Sequence, residues 1–152
     1  MKRLLYLICA ILLVAGCGEK VENKKSLEEQ LYGEWHRTSL TATGEIYIYT
    51  SGEIYISFQD DKTFELYQQI GEGAFRLYRG TWNLEEDILT GQYNDGEGWA
   101  TAYRISIEDK ALTMSYDYNG ISEITATYIP EAIPEEVKNG CEVVVKSADA
   151  GL

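Results

Sequence analysis

The chain has 152 residues, with 13 Lys and Arg against 25 Asp and Glu, a formal net charge of -12 at pH 7, and 45% hydrophobic residues. That length is one domain, and the apolar content is too high for a disordered chain. The composition excludes collagen-like, coiled-coil and disulfide-scaffold classes, and the acidic balance argues against nucleic acid as a partner, because phosphate contacts need a basic face.

Residues 1–16 read as a secretory signal: Met1-Lys2-Arg3, an apolar run over 4–14, then Ala15-Gly16. The run is too short for a membrane-spanning helix, which needs about 20 apolar residues. It ends Val14-Ala15-Gly16-Cys17, which resembles the bacterial lipoprotein signal. That resemblance implies cleavage before Cys17 and lipidation of Cys17 with a diacylglycerol and an N-acyl chain. Two or more chains anchor stably where one does not, so the membrane becomes a partner through the lipid. Gly18, rather than Asp, follows the cysteine; by analogy with enteric bacteria this favours the outer over the inner membrane of the cell envelope. Which side of that membrane is used stays open. Cys9 leaves with the signal and Cys17 is acylated, so Cys141 stands alone and the fold has no disulfide.

Residues 17–26 are polar and read as a tether. Ser26-Leu27-Glu28-Glu29 fits a capping box and predicts a short helix over 27–32. From Gly33 the pattern changes to period two, with turn residues every 8–12 positions, the signature of an all-β sandwich or barrel. The expected strands cover 34–40, 45–50, 53–59, 63–70, 75–84, 87–93, 99–108, 111–117 and 122–129. The connectors are too short for parallel crossovers. An antiparallel up-and-down barrel of about eight strands over 27–130 closes the free edges. The extension 131–152 opens with Pro130 and Pro134 nearby. One helical turn is expected from Pro134, with the proline at its first position. A further strand is expected over 141–146, its pairing open.

Gly33-Glu34-Trp35 sits at the mouth of the first strand, after the short helix. With the meander, this resembles the lipocalin-like barrels, in which the Trp packs under the closed end and the Gly allows a tight turn. The stretch 53–116, including Phe58-Gln59-Asp60-Asp61-Lys62-Thr63-Phe64 and Gly80-Thr81-Trp82-Asn83-Leu84, is similar to small lipocalin-like lipoproteins of Bacteroides-type bacteria. The middle Thr-Asp-Tyr motif of classical lipocalins is absent. Arg104 is a candidate for the arginine that packs over the Trp.

Alternation along the strands divides the side chains into two faces. The aliphatic face, taken as inward, holds Ile46, Ile48, Ile54, Ile56, Phe58, Phe64, Leu66 and Ile70, then Tyr103, Ile105, Ile107, Leu112, Met114, Tyr116, Ile124, Ala126 and Tyr128. Tyr47, Tyr49, Tyr55 and Tyr67 then point outward. With a four-residue loop at 71–74, Gln68 and Arg79 turn into the barrel. Alternatively, a bulge at Gly80 resets the register and leaves Arg79 in solvent. The candidate ligand-binding residues are therefore Gln68, Arg79, Tyr103 and Tyr116.

The single His36 makes no triad with Ser39, since the two fall on opposite faces. No Cys/His cluster suits a metal, and Asp60-Asp61 and Glu85-Glu86-Asp87 read as turn formers. No cofactor and no enzymatic activity are expected. The expected function is that of a lipid-anchored envelope protein that binds a small hydrophobic or amphipathic molecule inside the barrel. The alternative is a packed barrel that acts as an interaction or inhibitor module through its outer tyrosines or acidic surface.

Overall fold

The computed structural model describes residues 25–44, 52–145 and 150. The leader 1–16, Cys17 and the strand expected over 45–50, with Ile46, Tyr47, Ile48 and Tyr49, lie outside the described residues.

Among the described residues the period-two pattern forms eight strands: β1 (Gly33–Ala42), β2 (Ile54–Phe58), β3 (Thr63–Gln68), β4 (Arg76–Glu85), β5 (Ile88–Tyr93), β6 (Tyr103–Glu108), β7 (Ala111–Tyr118) and β8 (Ser122–Pro130). Each pairs antiparallel with its chain neighbour, and β1 pairs with β8 to close the ring. The expected all-β barrel is the architecture found. Tight hairpins suit this wrapping: Asp109 and Lys110 both have positive φ between Glu108 and Ala111, the backbone of a two-residue turn whose twist matches the strands.

One end of the barrel is closed by α1 (Leu27–Leu31), capped as the sequence predicts. The Ser26 hydroxyl accepts from the Glu29 amide at 3.1 Å, and the Glu29 carboxylate accepts from the Ser26 amide at 2.8 Å. Gly33 follows at φ 133°, a backbone state that side chains resist. It turns the chain into β1 and brings Trp35 beneath Leu31, where the indole N–H donates to the Leu31 carbonyl at 2.8 Å. Phe58, Trp82 and Leu89 fill the same core. Arg104 is not the residue that covers Trp35: it stands on the outer face of β6 and pairs with Asp87 at 3.3 Å.

Above this floor the wall bends. β1 has an extra residue between Arg37 and Ser39, a bulge against β8. The bulge resets the alternation, so Arg37 faces Tyr128 and Leu40 faces Ala126, and both pairs share the inner face.

The C-terminal extension packs on the outside of the barrel. α2 (Glu135–Gly140) follows Pro134, which is the N-cap rather than the first helical residue. β9 (Glu142–Val143) pairs parallel with Arg76 and Leu77 of β4. β5 pairs with β4 only from Gly80 onward, so β9 fills the edge that β5 leaves open. Between them, Ile133 and Val137 cover Tyr55, Tyr67 and Leu77 in a second buried cluster. Tyr55 and Tyr67 face out of the barrel, as alternation predicts, but the chain's own extension buries them, which takes them off the outer surface that the alternative reading uses. Ile70 is a correction. It lies beyond the end of β3 and is 57% exposed.

Candidate functional site

The open end of the barrel is shaped by the segment after β5. The amide of Tyr93 donates to the Glu97 carbonyl at 2.8 Å, and that of Trp99 donates to the Gly91 carbonyl at 2.9 Å. This turn folds back along β5 and drops the Trp99 indole into the barrel. Gly91 makes room for it, because a β-carbon at Gly91 would lie 2.2 Å from Cε2 of Trp99.

Trp99 begins an aromatic lining. Its ring meets Phe64 edge-to-face at 5.1 Å and Tyr103 at 5.9 Å, and Tyr103 meets Tyr116 at 5.6 Å and 85°. Tyr93 packs edge-on to Phe64 at 5.6 Å and to Tyr78 at 6.2 Å. Perpendicular rings are the favoured aromatic geometry. Beside this array is a chamber of about 390 Å³, lined by Tyr93, Trp99, Tyr103, Tyr116 and Asp117, with Ala150 also at its wall. That volume lies within the usual range for small-molecule sites, roughly 300–1,000 Å³.

Several polar atoms of the barrel interior are unmatched, and only that of Trp99 belongs to a residue of the chamber wall. The Tyr78 and Tyr128 hydroxyls and the Trp99 indole N–H are buried with no hydrogen-bond partner among the described residues. Orphaned buried polar groups are rare, and each costs free energy until something satisfies it. Burial raises the phenol pKa of Tyr103 and Tyr116, and pushes Tyr93 up to about 12. All three stay neutral hydroxyls, able to donate or accept.

Of the residues expected at the site, Tyr103 and Tyr116 stand together on the chamber wall. Gln68 is buried at the inner end of β3, opposite Arg76, and does not line the chamber. Arg79 is a correction. Gln68 pairs with Arg76 and Glu65 with Arg79, so the connector is seven residues, 69–75, and the register differs by one from that of a four-residue loop. A one-residue shift exchanges the faces. Tyr78 turns inward, and Arg79 turns outward to bond Glu65 at 2.8 Å. No bulge at Gly80 is needed, since the register runs unbroken through it. The inward arginine is instead Arg37, beside Tyr128, with its guanidinium donating to the Gly52 carbonyl at 3.0 Å. Gly33 and Trp35 are in the closed end, as described.

Sequence reasoning missed Trp99, Tyr93 and Arg37. The signal for Trp99 was Gly91 in the middle of a strand, since a strand glycine often marks a close approach. Arg37 was hidden by the bulge at Thr38, which has no composition cue.

Asp61 is a turn former: its carboxylate accepts from the Thr63 amide at 3.0 Å and the Thr63 hydroxyl at 2.6 Å. Among the described residues no cluster of His, Cys, Asp and Glu is arranged to hold a metal ion, and no helix is long and apolar enough to cross a membrane.

The model of the family described as lipocalin-like domain matches residues 31–128. No curated protein matches the chain.

Proposed function

The chain belongs to the lipocalin-like domain family, and from that premise we propose that it binds a small hydrophobic or amphipathic molecule in the upper barrel while its N-terminus is tethered to the bacterial envelope. The observation that carries the binding half is the aromatic chamber of about 390 Å³ with Trp99, Tyr103 and Tyr116 at its wall. Affinity comes from apolar burial, and orientation from the polar groups of the lining residues Tyr116 and Asp117. The mechanism is equilibrium binding with no chemical step, so the protein is read as a binder and not an enzyme. The packed-module alternative loses its outer tyrosines at Tyr55 and Tyr67, which the extension covers.

The tether is supported by the Val14-Ala15-Gly16-Cys17 sequence and the polar stretch after it. Lipid on Cys17 would hold the barrel at the membrane, with the outer membrane the favoured location.

Titration with the neutral fluorophore N-phenyl-1-naphthylamine tests the binding half. The expected result is saturable emission that Ala100→Trp, which fills the chamber from its rim, abolishes. Arg79→Ala should leave it unchanged, because Arg79 faces away. Absence of saturable binding contradicts the proposal.

A further inference from the structure

The chamber has a sign as well as a size. Its wall is lined by the rings of Trp99, Tyr103, Tyr116 and Tyr93, with Tyr103 set steeply against both Trp99 and Tyr116. The rim contributes Asp117, and no Lys or Arg is among the described residues that line the chamber. Arg79, the side chain that would have favoured a carboxylate ligand, is paired with Glu65 on the outer face. Arg37 is on β1, bonded to Gly52, and is not part of this wall. The whole chain adds a formal charge of -12, which raises the local concentration of cations near any cleft.

We infer that the mouth chamber is selective for an organic cation, a quaternary or aromatic ammonium group carried on an apolar body. This rests on the reading of the chamber as a ligand site and names the class of ligand it takes. Aromatic rings that face a shared space attract a cation through their quadrupoles, and the attraction grows as water is excluded. Tyr116 is half-buried and presents part of its ring to the chamber, and Tyr103 and Trp99 pack behind it. Asp117 adds a full negative charge at the entrance. One of its oxygens accepts from the Gly120 amide, which fixes the carboxylate at the rim. An anionic amphiphile would meet the same carboxylate with no Lys or Arg among the described lining residues to offset it. The apolar part of the ligand would occupy the remaining volume toward Tyr93.

The test compares benzyltrimethylammonium with 2,2-dimethylpropylbenzene, its neutral isostere in which carbon replaces nitrogen. Each competes against N-phenyl-1-naphthylamine on the full chain in detergent. The expected result is at least 10-fold tighter binding of the cation. In Asp117→Asn, whose amide oxygen can still accept from Gly120, affinity for the cation falls five-fold or more and the neutral compound is affected less. If the naphthylamine binds and the two isosteres compete equally, the inferred selectivity is overturned while the ligand chamber stands. If the naphthylamine itself does not bind, both readings fall together.

Discussion

Trp99 occupies the space that a side chain on Gly91 would need: a β-carbon there would sit 2.2 Å from Cε2 and 2.6 Å from Cδ2 of the indole. The upper barrel is built on this exchange, since Trp99 carries the contacts to Phe64 and Tyr103. Gly91→Ala must push the ring outward or bend β5. Overpacking of this kind costs about 1–3 kcal/mol. Urea unfolding should show that loss, and tryptophan emission should move to longer wavelength. A variant with wild-type stability and emission would contradict the placement of Trp99.

His36 sits in a bracket of carboxylates. Its Nε2 is 2.6 Å from Glu53 and its Nδ1 is 2.9 Å from Glu131, and the ring stacks on Tyr55 at 4.4 Å. Burial by itself would lower the imidazole pKa, but the hydrogen bonds to Glu53 and Glu131 outweigh it, and the pKa is raised above 6.5. The folded state therefore binds the proton more tightly than the unfolded state. The resulting stability is fully present below about pH 6.5 and is lost as pH rises through the higher folded value. Unfolding free energy should fall across that window and flatten in His36→Gln. Because the chain has one His, its Hε1 resonance reports the pKa directly. A midpoint below 6.5 would contradict the bracket.

The extension is held by two further contacts. Glu34 accepts from the Ile133 amide and pairs with Lys138, both at 2.8 Å, while Ile133 itself is buried against the second cluster. Ile133→Ala should cost about 2–4 kcal/mol. It should also speed alkylation of Cys141, which is half-buried in that cluster. An unchanged thiol rate would mean that the extension does not depend on this anchor.

At the closed end, Trp35→Phe removes the N–H that satisfies the Leu31 carbonyl and leaves a small cavity where the rest of the indole was. Leaving a buried acceptor unpaired costs about 1–3 kcal/mol. Thermal unfolding measures it, and a neutral effect would show that water replaces the indole.

Much of this architecture was legible because alternation in β2, β3 and β6–β8 is strict. Ile54, Ile56, Phe58, Phe64 and Leu66 are inward and buried as the pattern requires. The helix start was legible because Ser26 and Glu29 form a reciprocal pair of bonds that depends on local sequence alone. The errors arose where one residue decides a register. The 69–75 connector is longer than its Gly-rich centre suggests, and that exchanged Tyr78 for Arg79 at the wall. Burial of Tyr55 and Tyr67 depends on Ile133 and Val137, which lie far along the chain, so no local pattern reports it. At the site, Tyr103 and Tyr116 followed from alternation, whereas Trp99 enters from a turn, where period two gives no direction.

Lipidation has its own readout. In detergent phase separation of cells that express the full chain, the protein should partition into the detergent phase, and Cys17→Ser should move it to the aqueous phase. Equal partitioning of the two would contradict the tether.

Native mass spectrometry of the protein extracted from bacterial envelopes tests the central claim most directly. The account predicts a non-covalent small-molecule adduct on the wild type that is absent from Ala100→Trp. A wild-type spectrum with only the acylated polypeptide, identical to that of the filled variant, would contradict a ligand chamber at the barrel mouth.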